Sequence, residues 1–211
     1  MARMVRLGRL WRRLRDRLRP APIASADALG ALLEERAALI AQKCATDYCR
    51  GKTGLASYAL FTEKPFLDAF EVCRWETFVA VLGDLLMVAE GHLRPHVPAE
   101  QGPCLREGLA RLHAAILARL PAPEHRTKGW DDAIPSFKAR LEVAGLAAPR
   151  LAREIADYSA RRLFETLPIH ASMRELDEQV VYGAVRFRMV AVSQEMQQRI
   201  AAADLARELI G

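Results

Sequence analysis

Prolines and glycines divide this chain into a few long segments, and within each segment the apolar residues recur at helical spacing. Proline lacks a backbone N–H and clashes inside a helix, so it is typical of the first helical turn or of the residues that follow a helix. Glycine is typical of helix ends because it adopts left-handed conformations without a steric penalty. The long segments are therefore predicted to be helices bounded by these residues.

The apolar spacing of three and four residues predicts six helices behind an amino-terminal one. They are expected at residues 26–50, 62–93, 103–120, 131–145, 149–167 and from 172 to the end of the chain. No segment alternates polar and apolar residues as a half-buried strand would. Aromatic residues make up only 7% of the chain, so Leu, Ala, Val and Ile must fill the core. We expect an all-α protein, with one helical domain of about six helices over residues 21–211.

Three of these helices have recognisable start signals. Ser25 is expected to cap the first one, because a serine hydroxyl accepts a hydrogen bond from a free N–H of the first turn. Thr62 offers a hydroxyl ahead of the second helix, and Pro65 fits its first turn. Ser172 and Glu175 have the spacing of a capping box, which predicts one long helix from there onwards.

Short patterns recur at an offset of about 110 residues. Asp47-Tyr48 recurs as Asp157-Tyr158, Arg74-Trp75 as Arg186-Phe187, and Ala80-Val81 as Ala191-Val192. We interpret the recurrence first as chance similarity between helices rich in Ala, Leu and Arg, because two degenerate copies fall short of a true repeat array. The alternative is a pair of pseudo-repeated helical hairpins in which the Asp and Arg of each half form equivalent salt bridges.

Charge is distributed unevenly along the chain. Residues 1–20, which we call the basic arm, contain eight arginines and a single acidic residue, Asp16, and so carry a charge of +7. The whole chain has a formal charge of +5, which leaves −2 for residues 21–211. The chain is therefore a nearly neutral body with a basic extension, and an acidic partner is expected to bind the extension.

The basic arm has the pattern of an amphipathic helix. Met4, Leu7, Trp11, Leu14 and Leu18 fall at spacings of three and four, and arginines occupy the remaining faces. Trp is well suited to the headgroup region of a bilayer, where both its apolar ring and its polar N–H are accommodated. The residues expected to contact the docking surface are Arg3, Arg6, Leu7, Arg9, Leu10, Trp11, Arg12, Arg13, Leu14, Arg17 and Leu18.

We expect the arm to dock on an anionic membrane surface, and three alternatives remain open. It could instead lie in an acidic or apolar groove of a partner protein. An Arg-rich, acid-poor amphipathic segment is also typical of organelle transit peptides, although those are usually rich in Ser and the first Ser here is Ser25. Nucleic-acid binding is the weakest alternative, because no known reading module follows the arm.

No metal site is expected from the spacing of Cys and His. Cys44 and Cys49 are five residues apart, which places them on different faces of a helix. His92 and His96 are four apart, but Pro95 between them indicates the end of a helix. The cysteines are better explained as small buried apolar residues. Cys49, which is followed by the cationic Arg50, is the one candidate nucleophile.

The chain also lacks a coherent catalytic set. The stretch at 50–54, Arg-Gly-Lys-Thr-Gly, departs from a phosphate-binding loop because Thr46 stands where that motif has Gly. We therefore expect no catalytic residues, no cofactor and no metal. The alternative is an enzyme or a binder of small anionic ligands, with a pocket between the two halves of the chain. The candidate residues for such a pocket are Tyr48, Arg74, Tyr158 and Arg186.

These observations predict a non-enzymatic helical protein that acts as an adaptor, assembly factor or accessory subunit. Arginine interrupts every apolar stretch of the arm, so it does not have the pattern of a secretory signal, and we expect reduced thiols. No segment has the ~18 uncharged apolar residues of a membrane span. The expected location is the cytoplasmic face of a membrane, with organelle import as a minor alternative.

Overall fold

Turns and a longer loop at 119–132 join the helices of residues 21–211, the part of the chain that this computed structural model describes. The helices are α1 (Ala26–Thr53), α2 (Ser57–Leu60), α3 (Lys64–Leu93), α4 (Gly102–Ala118), α5 (Ala133–Gly145), α6 (Ala152–Ile155), α7 (Asp157–Thr166), α8 (Ala171–Arg174), α9 (Glu178–Arg199) and α10 (Ala202–Ile210). These residues contain no strand, so the all-α prediction is confirmed. The helix predicted for the basic arm lies outside the described residues.

The ends of α1 follow the sequence signals. The Ser25 hydroxyl accepts a hydrogen bond from the backbone N–H of Ala28 at 3.2 Å, as expected of an N-cap. Gly54 ends the helix with a φ of 54°, and its N–H donates to the carbonyl of Arg50. The start of α3 differs in one detail: the Thr62 hydroxyl donates to the carbonyl of Ala59 at 2.7 Å instead of capping the helix. Pro65 lies in the first turn of α3, as predicted.

Helix α3 is the centre of the fold. It packs most extensively against α1 and α7, and α4, α5, α6, α9 and α10 also contact it. From position 76 to position 90 nearly every side chain of α3 is buried, because neighbouring helices surround this part of it. A helix that is buried on all sides has no polar face, which explains the long apolar run seen in the sequence at 78–89.

The predicted single helix after residue 172 is wrong. The segment around Ser172 and Glu175, where a capping box was expected, contains only the four-residue helix α8. The long helix α9 begins at Glu178. A second interruption lies at Ile200, which forms a parallel β-bridge with Ile23. Here the Ile23 N–H donates to the Arg199 carbonyl at 2.8 Å, and the Ala201 N–H donates to the Ile23 carbonyl at 2.9 Å. Pairing with a distant segment therefore separates α9 from α10.

The structure does not confirm the alternative of a pseudo-repeat. Arg186 does bind Asp157, with 2.7 Å between Nε and Oδ1. Its expected counterpart is absent from the described residues, because Arg74 pairs with Glu71 at 3.0 Å. Asp47 instead accepts from an arginine of α9, Arg188, at 3.0 Å, and from Lys43 within α1. The two halves therefore do not share equivalent salt bridges.

Candidate functional site

Two adjoining cavities lie between α5 and α7, with α3 as their common floor. The inner cavity has a volume of about 290 Å³ and the outer cavity a volume of about 720 Å³. Arg140, Tyr158 and Arg161 line both of them. We call the two cavities together the arginine groove. The other charged or polar residues that line the inner cavity are Glu76, His113, Arg126, Asp132, Ser136, Arg162 and Glu165.

A buried carboxylate on α3 binds the arginines at the inner end of the groove. Glu76 is 6% exposed and accepts hydrogen bonds from Arg126 at 2.8 and 2.9 Å, from Arg162 at 2.6 Å and from His125 at 2.9 Å. Burial alone would raise the pKa of Glu76, but these donors outweigh it and hold the pKa below its ordinary value. Glu76 therefore stays ionised and fixes two arginines at the cavity wall.

A second buried carboxylate connects the three helices of the groove. Asp84 of α3 is fully buried, and the guanidinium of Arg140 on α5 donates to it. Its other oxygen accepts the backbone N–H of Ser159, in the first turn of α7, at 3.0 Å. Burial raises the pKa of Asp84, against the opposing effects of Arg140 and Ser159. This arrangement sets the separation of α5 and α7 on the floor of α3.

A third carboxylate positions an arginine at the far end of the outer cavity. Glu90, 2% exposed, binds Arg94 through two hydrogen bonds of 2.7 Å. The same guanidinium donates to the carbonyls of Ala144 and Ala147, at and just beyond the end of α5. All three buried carboxylates of the described residues thus lie on α3 and point their arginine partners toward the groove.

Arg161 differs from the other arginines that line the inner cavity. It lies on the wall shared by the two cavities, is exposed, and forms no ion pair with any residue of 21–211. Glu165, one turn along α7, is 3.7 Å from Arg162 instead. Because no described carboxylate holds it, the guanidinium of Arg161 is available to an anion that enters the groove.

His113 is a second side chain of the inner cavity that forms no ion pair with a described residue. This residue of α4 lines the inner cavity, is 1% exposed, and neither ring nitrogen has a hydrogen-bond partner among residues 21–211. Burial, assisted by the charge of Arg140, lowers its pKa to about 4, so the ring is neutral at pH 7. A neutral imidazole offers one donor and one acceptor, and buried groups of this kind normally have partners.

The structure does not bring the four predicted pocket residues together. Tyr158 lines the arginine groove, with the Arg140 guanidinium 3.5 Å from the centre of its ring. Arg186 lines neither cavity of the groove, but it forms an ion pair with Asp157, which lines the outer cavity. Tyr48 lines a separate cavity of about 180 Å³ and donates to Asp177 at 2.9 Å. Arg74 lines another cavity of about 120 Å³.

Cys49, the candidate nucleophile, is fully enclosed. It is 0% exposed, and burial raises the pKa of its thiol to about 12, so the reactive thiolate is scarce at neutral pH. Cys44 has a pKa raised to about 11 for the same reason. Residues 21–211 contain no group of three or more Cys, His, Asp or Glu side chains placed to hold a metal ion.

Comparisons of the chain with protein-family models, with curated proteins and with solved structures give no significant match.

Proposed function

We propose that the protein attaches to an anionic membrane surface through the basic arm and acts there as an adaptor, assembly factor or accessory subunit. The observation that carries this proposal is the separation of charge, +7 on residues 1–20 against −2 on residues 21–211. No helix of residues 21–211 has the length and apolar character needed to cross a bilayer. Attachment is therefore assigned to the arm, on the cytoplasmic face of a membrane.

The energetics of the arm support reversible attachment. Each basic residue close to an anionic leaflet contributes on the order of 1 kcal/mol, and the apolar face adds the free energy of burying its Leu and Trp side chains. Arginine can bury its methylene groups while its guanidinium stays in water. Eight arginines and an apolar face are sufficient for attachment that salt weakens.

Sedimentation with lipid vesicles tests this proposal. The full chain is expected to bind vesicles that contain phosphatidylserine and to lose most of its binding when Arg9, Arg12 and Arg13 are changed to Gln. A matched variant that removes three exposed arginines of the body, Arg119, Arg153 and Arg207, should bind like the parent chain. Undiminished binding after deletion of residues 1–20 would contradict the proposal.

Vesicles without anionic lipid and a short DNA duplex, tested beside the anionic vesicles, distinguish the alternatives for the arm. Equal binding to vesicles without anionic lipid would remove the electrostatic part of the proposal. Tight and steeply salt-dependent binding to a short DNA duplex, lost on truncation, would favour nucleic acid. An arm that binds neither vesicles nor duplex would favour a protein groove or an import signal.

A second candidate function is the binding of a small anionic ligand, with or without catalysis. The arginine groove favours it more than the four predicted residues do. Arg161 and His113 line the same cavity, Arg161 forms no ion pair with a described residue, and the ring nitrogens of His113 have no described hydrogen-bond partner. Cavities of this size bind small molecules in many proteins, with an apolar lining and a few placed polar groups. This candidate concerns the body and is independent of the arm.

A further inference from the structure

We propose that the arginine groove binds an anionic amphiphile, with its acidic head in the inner cavity and its apolar chain in the outer cavity. The inference rests on the second candidate function, ligand binding in the groove, and names the class of ligand. A free fatty acid and the acyl chain and acidic head of a phospholipid share this chemistry.

The outer cavity has the lining expected for an apolar chain. Eight of the sixteen residues that line it are Met, Ala, Val, Pro or Ile, seven are charged and one is Tyr158. Its volume of about 720 Å³ lies in the range of pockets that enclose small organic ligands. At its border Leu146 is 86% exposed and Val143 is 68% exposed, so apolar surface continues from the cavity to the outside of the molecule. An alkyl chain would cover part of this surface.

The inner cavity has the lining expected for an acidic head. Arg161 can donate charged hydrogen bonds to a carboxylate or phosphate, because no described acidic residue is paired with it. The neutral ring of His113, whose enclosed nitrogens have no described partner, and Ser136 line the same cavity. The carboxylates of this cavity are already paired, since Glu76 binds Arg126 and Arg162.

The connection between the cavities favours one amphiphile over a compact anion. Arg140, Tyr158 and Arg161 belong to the walls of both, so the cavities adjoin, and a ligand long enough to extend across these three side chains would occupy both. Arg140 is bound to Asp84 and lies over the Tyr158 ring, whereas Arg161, the other arginine of both walls, forms no ion pair with a described carboxylate. A compact anion would occupy the inner cavity and leave the apolar lining of the outer one in water.

Calorimetry of the full chain with decanoate, decan-1-ol and acetate tests the inference. We expect decanoate to bind at least tenfold more tightly than either of the others. Arg161→Gln should weaken decanoate binding at least tenfold and leave decan-1-ol unchanged. The matched control is Arg153→Gln, an exposed arginine of α6 that lines neither cavity, and it should change decanoate affinity less than twofold.

Ala148→Trp gives a second, independent variant. Ala148 is an exposed residue of the outer cavity wall, so a larger side chain there fills the cavity without entering the core. It should weaken both decanoate and decan-1-ol. A decanoate affinity that neither variant changes would overturn the inference, because the ligand would then bind elsewhere. Tight acetate binding without dependence on chain length would overturn the amphiphile but keep the second candidate function, and binding of no ligand would overturn both.

Discussion

The two sides of α3 join it to its neighbours by different means. On one side it packs against α1, whose buried residues are all small or apolar. On the other side it meets α5 and α7 through the buried carboxylates of Glu76 and Asp84, each bound to arginine. Apolar residues of all of these helices belong to one continuous core, and the arginine groove opens where the carboxylates lie.

This difference has a physical reason. Apolar contact is non-directional, so two helices can approach until their side chains fill the space between them. A buried carboxylate instead needs donors at defined positions, and it destabilises the fold when one of them is lost. The polar side of α3 therefore fixes the positions of α5 and α7 without requiring them to close over one another, which is what a ligand groove needs.

The largest expected effect comes from the carboxylate that connects all three helices. Asp84→Ala removes the partner of Arg140 and leaves the backbone N–H of Ser159 without an acceptor. We expect it to lower the free energy of unfolding by about 3 to 5 kcal/mol, as breaking a buried ion pair does. Urea unfolding measures the loss.

A double variant sharpens this prediction. Asp84→Leu combined with Arg140→Met replaces the buried pair by apolar groups, and it should recover most of the free energy that the single change loses. If the double variant is no more stable than Asp84→Ala, the cost of Asp84→Ala comes from the loss of the polar contact itself. It then does not come from leaving the charge of Arg140 buried without a partner.

A smaller effect is expected from the buried imidazole of the inner cavity. The pKa of His113 is lowered to about 4 from 6.5, so the unfolded chain takes up this proton at a higher pH than the folded one does. The stability that the neutral ring contributes is complete above pH 6.5 and is lost as the pH falls toward 4. The loss is about 3 kcal/mol at most.

Replacement of the imidazole tests that prediction. His113→Phe should flatten the pH dependence of the free energy of unfolding between pH 6.5 and 4, measured by urea unfolding at several pH values. The control is His96→Ala, because His96 is exposed and should leave the pH profile unchanged. A profile that His113→Phe leaves as steep as that of the parent chain would contradict the assignment.

The smallest effect is expected on the apolar side of α3. Ile40 of α1 is 2% exposed, and Ile40→Val removes one methylene group from the core. We expect a loss of about 1 kcal/mol that does not depend on pH, together with unchanged decanoate binding. A change in decanoate affinity would show that the two sides of α3 are not independent.

Much of the fold could be predicted because its signals are local. The cap at Ser25, the glycine at the end of α1 and the proline in the first turn of α3 act within one helical turn. The interruption at Ile200 could not be predicted, because it depends on backbone pairing with Ile23, far away along the chain. The spacing of Ser172 and Glu175 was misleading, since α8 ends at Arg174.

The site could be predicted only in part. Of the four predicted pocket residues, Tyr158 alone lines the arginine groove. Glu76, Asp84, Arg140 and His113 could not be assigned to it, because they come from three different helices and nothing in their own segments indicates that these helices meet. The contacts of the basic arm stay a prediction.

Hydrogen exchange of the full chain, with and without saturating decanoate, tests the central claim that the polar side of α3 holds a ligand site separate from the apolar core. Exchange is predicted to slow in residues 133–166, which include α5, α6 and α7. Exchange in α1 should stay unchanged, because α1 lines neither cavity of the groove. Slower exchange confined to residues 1–20 or to α1, or no change in residues 133–166, would contradict it.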